Sequence, residues 1–225
     1  MTDMTASPMP SSQEAALAAE DEGFYHESAL NATWTGSRLA IGGLAFLFGS
    51  FAFAYFYLRS LNAHGRWYPG TLTPPHVWAG TLIMALIVAS AILQTIVLQA
   101  LKAGRKTTWQ RGALAALGLG LAAVGLQITE LLTLPFHPGA AGFASVFTGF
   151  YPVYLFIALL VLIWLETLLM RARQIPELSF VEQPPTFAET FALQRFQAAL
   201  SGFTVVWNYL AVVAVLGWVL FYFVH

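Results

Sequence analysis

The amino-acid sequence predicts an all-α integral membrane protein with five transmembrane helices packed as a bundle. Of its 225 residues, 58% are hydrophobic and only 9% are charged, whereas a soluble domain carries roughly 25% charged residues. Five apolar segments each reach about the 20 residues that a helix needs to cross a bilayer. The sequence lacks the short alternating segments of a transmembrane barrel, and lipid cannot satisfy an open backbone, so we expect helices.

The first 36 residues differ from the rest of the chain because they are polar and acidic, as in the run EDE at 20–22. They have neither the basic region nor the apolar region of a signal peptide. A segment of this composition has little apolar surface to bury. We therefore predict a disordered cytoplasmic tail over residues 1–36 and a five-helix transmembrane domain over residues 37–225.

The five predicted spans are 37–58, 77–101, 112–134, 151–169 and 202–224. Ahead of the last span, Thr186 and Glu189 have the T-x-x-E spacing of a capping box and directly follow two prolines. This pattern predicts a helix that begins near Phe187 and continues into the fifth span.

The distribution of basic residues predicts the orientation. Of the ten Lys and Arg residues, all but Arg59 and Arg66 lie on the side of the N-terminus. Basic residues are retained on the cytoplasmic side, which places the N-terminus in the cytoplasm and His225 outside.

No redox centre is expected on this chain. A membrane haem or copper centre needs imidazoles that project from facing helices, and none of the five histidines lies in a predicted span. The chain has no cysteine, and its net charge of -1 gives no sign of a nucleic-acid partner. Nucleotide-binding and protease motifs are missing as well, so we predict no metal site and no catalytic residue.

One glutamate stands out in the third span. Glu130 lies near the outer end of that span, and Gln127 and Thr133, three residues away on either side, share its helix face. Carboxylates inside a membrane are costly and usually have partners. The three residues therefore predict a buried polar site, whose role is either interhelical structure or proton transfer.

Small residues predict where helices approach closely. Gly112, Ala116 and Gly120 recur at four-residue spacing in the third span, and Ala45 and Gly49 do so in the first. Such spacing lets helix backbones pack together in lipid, so these positions are candidates for helix packing or for contact with another subunit.

Aromatic residues at the span ends are typical of the membrane interface. The candidates for lipid or interface contact are Trp34, Trp78, Trp109, Tyr151, Tyr154 and Trp207.

Four segments in order resemble a known family. They are AYFYLRS at 54–60, TPPHVWAGTLIMALIVASAILQ at 73–94, the Gly120, Gln127 and Glu130 pattern, and FASVFTGFYPVYLFIALLVL at 143–162. The series resembles subunit III of the haem-copper terminal oxidases (cytochrome c oxidase subunit III), over residues 37–225. Five spans with a cytoplasmic N-terminus are similar to the short bacterial form of that subunit.

The chain departs from the family pattern at several polar positions. Tyr151 and Tyr154 stand where the family has histidines at the start of span four. Trp207 is kept in the last span, but Asn208 follows it where the family has histidine. The family's carboxylate in the first span falls near Leu44.

The resemblance implies a non-catalytic subunit. In that family, haem and copper belong to subunits I and II, while subunit III packs on subunit I, binds lipids in its clefts and sustains proton uptake and turnover. For this chain it implies bound phospholipid, no cofactor of its own, and a multi-pass location in a bacterial inner membrane as part of aerobic respiration.

Two further functions stay open. The first is an accessory subunit of a nitric oxide reductase, which the sequence barely separates from an oxidase subunit. The second is a small proton-coupled transporter that uses Glu130, although such folds tend to show internal repeats and paired broken helices, which this sequence does not show. A structural scaffold would differ from an oxidase subunit only in lacking redox partners.

Overall fold

The computed structural model describes residues 12–61, 65–176 and 187–224, and the side chains of residues 12–22, 26 and 187–190 lie outside this description. Within these ranges the chain forms five helices and no strand: α1 Ser12–Ser60, α2 Val77–Lys102, α3 Lys106–Leu132, α4 Gly142–Gln174 and α5 Phe187–Tyr222. Each is long and apolar enough to cross a membrane. The predicted all-α bundle is confirmed, and the chain fits a multi-pass membrane protein.

Helix α1 begins at Ser12, far ahead of the predicted first span. Residues 12–36 of the expected disordered tail are therefore helical in the structure, while residues 1–11 lie outside the described ranges. The reason is local, because residues 15–20 read AALAAE and both Ala and Glu are strong helix formers. Packing adds little here, since Phe24 and Tyr25 are 67% and 71% exposed.

Helix α4 also begins earlier than predicted, at Gly142. Two polar residues in the added segment, Ser145 and Thr148, donate their hydroxyls to backbone carbonyls four positions earlier, at 3.0 and 2.7 Å. This local bonding satisfies a polar side chain within its own helix. A helix can therefore include residues whose polarity made the sequence look like a loop.

Helix α5 begins at Phe187 and continues to Tyr222, so the predicted start and the run into the fifth span are confirmed. The proposed capping contact between Thr186 and Glu189 lies outside the described side chains.

The five helices form a closed ring in the order α1, α5, α2, α3, α4, and α4 also contacts α5 across the middle. Helices α1, α3 and α5 end at the same side of the bundle, which we call the Glu130 end. At the opposite side, which we call the arginine end, α2 and α4 finish and α3 begins with basic residues. Gly104, with a φ of 76°, makes the tight connection from α2 to α3 there.

Aromatic side chains fill the Glu130 end between α1, α4 and α5. The ring centroid of Phe221 lies 5.5 Å from that of Tyr55 and 5.4 Å from that of Phe147. Trp67, from the α1–α2 connection, packs at 4.9 Å from Tyr55. The Tyr55 hydroxyl donates to the carbonyl of Leu220 at 2.9 Å. These contacts fix the end of α5 and hence the position of the next side chain, Tyr222.

Candidate functional site: a buried carboxylate between helices

Glu130 lies in the last turn of α3 and is only 5% exposed. Its Oε1 accepts a hydrogen bond from the hydroxyl of Tyr222 at 2.6 Å, and its Oε2 accepts one from Nε2 of Gln127 at 3.2 Å. Gln127 is 3% exposed. Each carboxyl oxygen therefore has a donor inside the protein, which is the arrangement that a desolvated carboxyl group requires.

Tyr222 reaches Glu130 across the surface of α2, and a glycine makes this possible. A Cβ added at Gly80 would lie 2.5 Å from the Tyr222 hydroxyl oxygen and 2.6 Å from its Cε2. Real side chains do not approach so closely, so Gly80 leaves the space that the phenol occupies. Three helices thus build one contact: α3 supplies the carboxylate, α5 supplies the donor and α2 supplies the gap.

The polar cluster extends to α4 through Tyr151. Its side chain lies beside that of Tyr222, and its ring packs 4.5 Å from Phe147. Hydrogen bonds join Gln127, Glu130 and Tyr222, and Tyr151 lies next to them inside an aromatic wall. We call this group the Glu130 cluster.

Two small cavities adjoin the Glu130 cluster, each of about 10 Å³. Gln127 and Tyr154 line both of them. Each cavity is at the lower limit of the space that one water molecule needs. Apart from these spaces, the cluster is closely packed.

Helix α5 donates or accepts side-chain hydrogen bonds with every other helix. Trp218 donates to Thr81 of α2 at 3.0 Å, and the Tyr154 hydroxyl of α4 donates to the carbonyl of Leu210 at 3.1 Å. Deeper in the bundle, Trp207 donates to the Ser90 hydroxyl at 3.1 Å. Hydrogen bonds between helices hold a bundle in lipid, where the hydrophobic effect between helices is weak.

Two members of the predicted polar triplet, Gln127 and Glu130, lie together inside the bundle, and the third does not join them. Thr133 caps the end of α3 and donates its hydroxyl to the backbone carbonyls of Thr129 and Glu130. It is exposed and does not reach the Glu130 carboxyl group through its side chain. Residues three apart share a face only within a helix. Because α3 ends at Leu132, Thr133 does not lie on the same face as Glu130.

The small residues of α3 lie where helices meet. A Cβ on Gly120 would lie 2.6 Å from Leu162 Cδ2 of α4, and one on Gly112 would overlap Val97 of α2. Ala116 is fully buried, and its carbonyl accepts the Ser90 hydroxyl at 2.7 Å. Their role in helix packing follows directly from these contacts.

The small residues of α1 behave differently. Ala45 and Gly49 are exposed, and no described atom lies within 4 Å of a Cβ added at Gly49. They do not pack against another helix in the part of the chain that the structure describes. Of the two predicted roles, helix packing and contact with another subunit, only the second stays open for Ala45 and Gly49.

The aromatic candidates divide into two groups. Trp34 and Trp78 are 38% and 67% exposed, as interface residues would be, and the guanidinium of Arg38 lies 5.8 Å from the Trp34 ring. The other four are buried between helices and do not face lipid in this chain: Trp109, Tyr151, Tyr154 and Trp207. Trp109, for example, packs edge-on against Phe196 at 5.5 Å.

Sequence reasoning missed Tyr222, Gly80 and the Ser90 contact. One signal was available for Tyr222, because it is the last residue of α5 and Glu130 is near the end of α3. Both therefore lie at the same depth in the bundle. No comparable signal existed for Gly80, whose importance depends on a side chain of another helix. Gln94 of α2 was also missed: it is fully buried, and neither atom of its amide has a hydrogen-bond partner among the described residues.

No group of three or more His, Asp or Glu side chains lies close enough to hold a metal ion within the described part of the chain. No model of a known protein family matches the chain, and no curated protein matches its sequence. The resemblance to oxidase subunit III rests on the sequence motifs themselves.

Proposed function

We propose that this chain is a non-catalytic, subunit III-like component of a bacterial haem-copper terminal oxidase. It packs on subunit I of an assembly in which subunits I and II carry the haem and copper. It binds phospholipid and sustains the turnover of an enzyme that reduces oxygen and translocates protons. Its helices cross the inner membrane with the N-terminus in the cytoplasm and the C-terminus outside.

The observation that carries this proposal is the contact made by the family's Gln and Glu pair. Gln127 and Glu130 are the polar positions that the chain shares with the family motif in the third span. They are also the two residues that bond to each other inside the bundle, and Glu130 then joins α3 to α5 through Tyr222. A retained motif with an interhelical hydrogen bond supports a structural role that helps the subunit keep its shape.

Helix α1 offers the surface for a partner subunit. In its apolar stretch, little of α1 is buried inside the bundle, the least of the five helices. Ala45 and Gly49 are exposed beside Phe46, which is 81% exposed. Small residues let a second helix approach closely in lipid. We assign this face of α1 to the contact with subunit I.

The test of the proposal is what co-purifies. An affinity-tagged chain, extracted in mild detergent from its native membrane, is expected to carry haem-bearing subunits and a visible haem spectrum. The isolated chain should show no such spectrum. Recovery of the chain alone under conditions that preserve known membrane complexes would contradict the proposal.

A pair of variants tests the α1 contact. Gly49→Leu places a bulky side chain on the proposed contact face, and Gly125→Leu does the same on α3, where the glycine is also exposed and has no described atom within 4 Å of an added Cβ. We expect Gly49→Leu to lose most of the co-purified haem and Gly125→Leu to retain it. Equal retention by both variants would place the partner on another face.

The nitric oxide reductase alternative predicts the same partner contact with a different catalytic subunit. The haem types of the co-purified complex, and its reaction with oxygen or nitric oxide, decide between the two enzymes. Solute uptake by vesicles that contain this chain alone would instead support the transporter.

A further inference from the structure

The outward face of α5 carries a regular line of residues. Positions 205, 208, 212, 215 and 219 follow one another at alternating spacings of three and four residues, which is the heptad spacing of a helix that packs lengthwise against another helix. Asn208 is one of the five, and the others are exposed valines: Val205 at 39%, Val212 at 55%, Val215 at 36% and Val219 at 37%. We call these five residues the α5 seam. The exposure of its valines leaves this face of α5 open within the part of the chain that the structure describes.

The α5 seam has the geometry of a contact with one more transmembrane helix. It lies inside the apolar stretch Phe191–Tyr222 and is about 21 Å long at 1.5 Å per residue. Helix pairs in membranes mostly cross at about 20°, as in a left-handed coiled coil, and their contact residues recur at this spacing. In coiled coils, β-branched residues at the positions that Val205, Val212 and Val219 occupy favour two strands.

Asn208 is the polar residue of the seam, and its hydrogen bonds within the chain are incomplete. Its Nδ2 donates to the Thr95 hydroxyl of α2 at 3.0 Å. That hydroxyl has a single proton, and the carbonyl of Ala91 accepts it at 2.9 Å, whereas Oδ1 of Asn208 is 3.3 Å away. An amide has two N–H donors and a carbonyl acceptor. Asn208 therefore keeps one donor and one acceptor that no described residue satisfies.

Asn208 also lies inside the hydrocarbon layer, at some distance from the membrane surface. Its partner Thr95 is about 10 Å along α2 from Lys102, at the arginine end, and Asn208 is about 21 Å along α5 from Tyr222. Exposed apolar side chains of α2 surround the pair, with Ile92 at 56% and Ile96 at 60%. An unpaired amide group in such a place has a high free-energy cost unless another polar group binds it.

A second copy of this chain supplies the matching group. Copies inserted with the same orientation hold Asn208 at the same depth, so a two-fold axis along the membrane normal places two such amides opposite each other. An amide is self-complementary, because its N–H donor fits the carbonyl acceptor of another amide. Two identical seams then meet, as in the isologous contact of a symmetric dimer. A partner of different sequence would need its own polar side chain at this depth.

We propose that this protein pairs with a second copy of itself along the α5 seam, through reciprocal hydrogen bonds between the two Asn208 side chains. Thr95 holds each amide in place from α2, and the valines of the two seams pack against each other. The contact uses a different helix from the α1 face assigned to subunit I. The pairing goes beyond the proposed function and does not rest on it.

Disulfide cross-linking in native membranes tests the contact, because the chain has no cysteine of its own. Val212→Cys places a thiol in the seam, and Ile163→Cys is the matched control on α4, since the two positions are equally exposed, 55% against 53%. We expect mild oxidation to convert most of Val212→Cys into a species of twice the mass of the chain, which two differently tagged copies identify as a homodimer. Ile163→Cys should remain a single chain.

A second pair of variants, made in the Val212→Cys background, tests the amide. Asn208→Leu keeps the volume of the side chain and removes both hydrogen-bonding groups, so it should slow cross-linking by about tenfold through the loss of two interhelical hydrogen bonds. Thr95→Val is the control. It breaks the same hydrogen bond between α2 and α5 but keeps the amide of Asn208, and it should change the rate by about twofold at most.

Three results would overturn the proposal. They are equal cross-linking of Val212→Cys and Ile163→Cys, an unchanged rate in Asn208→Leu, and a product that joins Val212→Cys to a protein other than a second copy. Cross-linking is read out without haem, so its failure would leave the co-purification of haem-bearing subunits unaffected, and the reverse also holds.

Discussion

Glu130 and Glu166 are two carboxylates in the same membrane bundle, and their surroundings differ in every physical respect. Glu130 is 5% exposed, has a donor on each oxygen and lies among aromatic rings. Glu166 is exposed and borders an open groove that Arg173 also lines. A carboxyl group removed from water needs partners built into the fold, whereas an exposed one does not. The difference predicts that substitutions at the two sites lower the free energy of unfolding by very unequal amounts.

The largest effect is expected from Glu130→Leu. Tyr222 and Gln127 would each lose an acceptor in a site without bulk water, which should lower the free energy of unfolding by about 2–3 kcal/mol. Glu130→Gln should cost less than about 1 kcal/mol, because a rotated Gln127 amide can pair with it. Unfolding in mixed detergent micelles measures both values.

The same two variants separate structure from proton chemistry. If the Glu130 cluster is structural, Glu130→Gln should keep subunit retention and oxidase turnover close to wild type, and Glu130→Leu should weaken both. An equal and severe loss of turnover in both variants, with the complex still assembled, would show that the ionisable group itself is required.

The next largest effect is expected from Gly80→Ala. The added methyl group overlaps the Tyr222 ring, and overpacking of this kind costs about 1–3 kcal/mol. Gly125→Ala is the control, because its methyl group meets no described atom within 4 Å and should gain up to about 1 kcal/mol of helix propensity. If both variants unfold at the same denaturant concentration, Gly80 is not the gap through which Tyr222 reaches Glu130.

A smaller effect is expected from Tyr222→Phe, which keeps the ring and removes the donor to Glu130. We expect a loss of about 1 kcal/mol. In a double-mutant cycle with Glu130→Leu, which removes the acceptor, the coupling energy should be about 0.5–1.5 kcal/mol. Tyr57→Phe, at a tyrosine that is 52% exposed, provides the control. A coupling energy of zero would mean that the 2.6 Å contact contributes nothing to stability.

The smallest effect is expected from Glu166→Gln. An exposed carboxylate contributes little to stability even near an arginine, so the free energy of unfolding should stay within about 0.5 kcal/mol of wild type. The same micelle unfolding assay measures it. A loss as large as that of Glu130→Leu would show that Glu166 has a buried partner and would remove the contrast between the two sites.

The sequence predicted the Glu130 cluster in part, and the reason is visible in its members. Glu130 and Gln127 are three residues apart on one helix, so helix geometry alone brings them together. Tyr222 lies 92 residues from Glu130 in the chain, and the packing of α5 against its neighbours brings it there. For Thr133 the sequence was misleading. Its three-residue spacing from Glu130 predicts a shared helix face, but α3 ends at Leu132, one residue before it.

The chain by itself determined the number of helices, their apolar character and the rarity of a charge such as Glu130. The thickness of the bilayer requires about 20 apolar residues per span. A carboxylate inside a membrane has a high free-energy cost and is rare, so it is conspicuous in the sequence. Only the tertiary structure decided which face of each helix points inward, as with Trp207 inside and Gly49 outside. In lipid both faces of a helix are apolar, so the sequence pattern does not distinguish them.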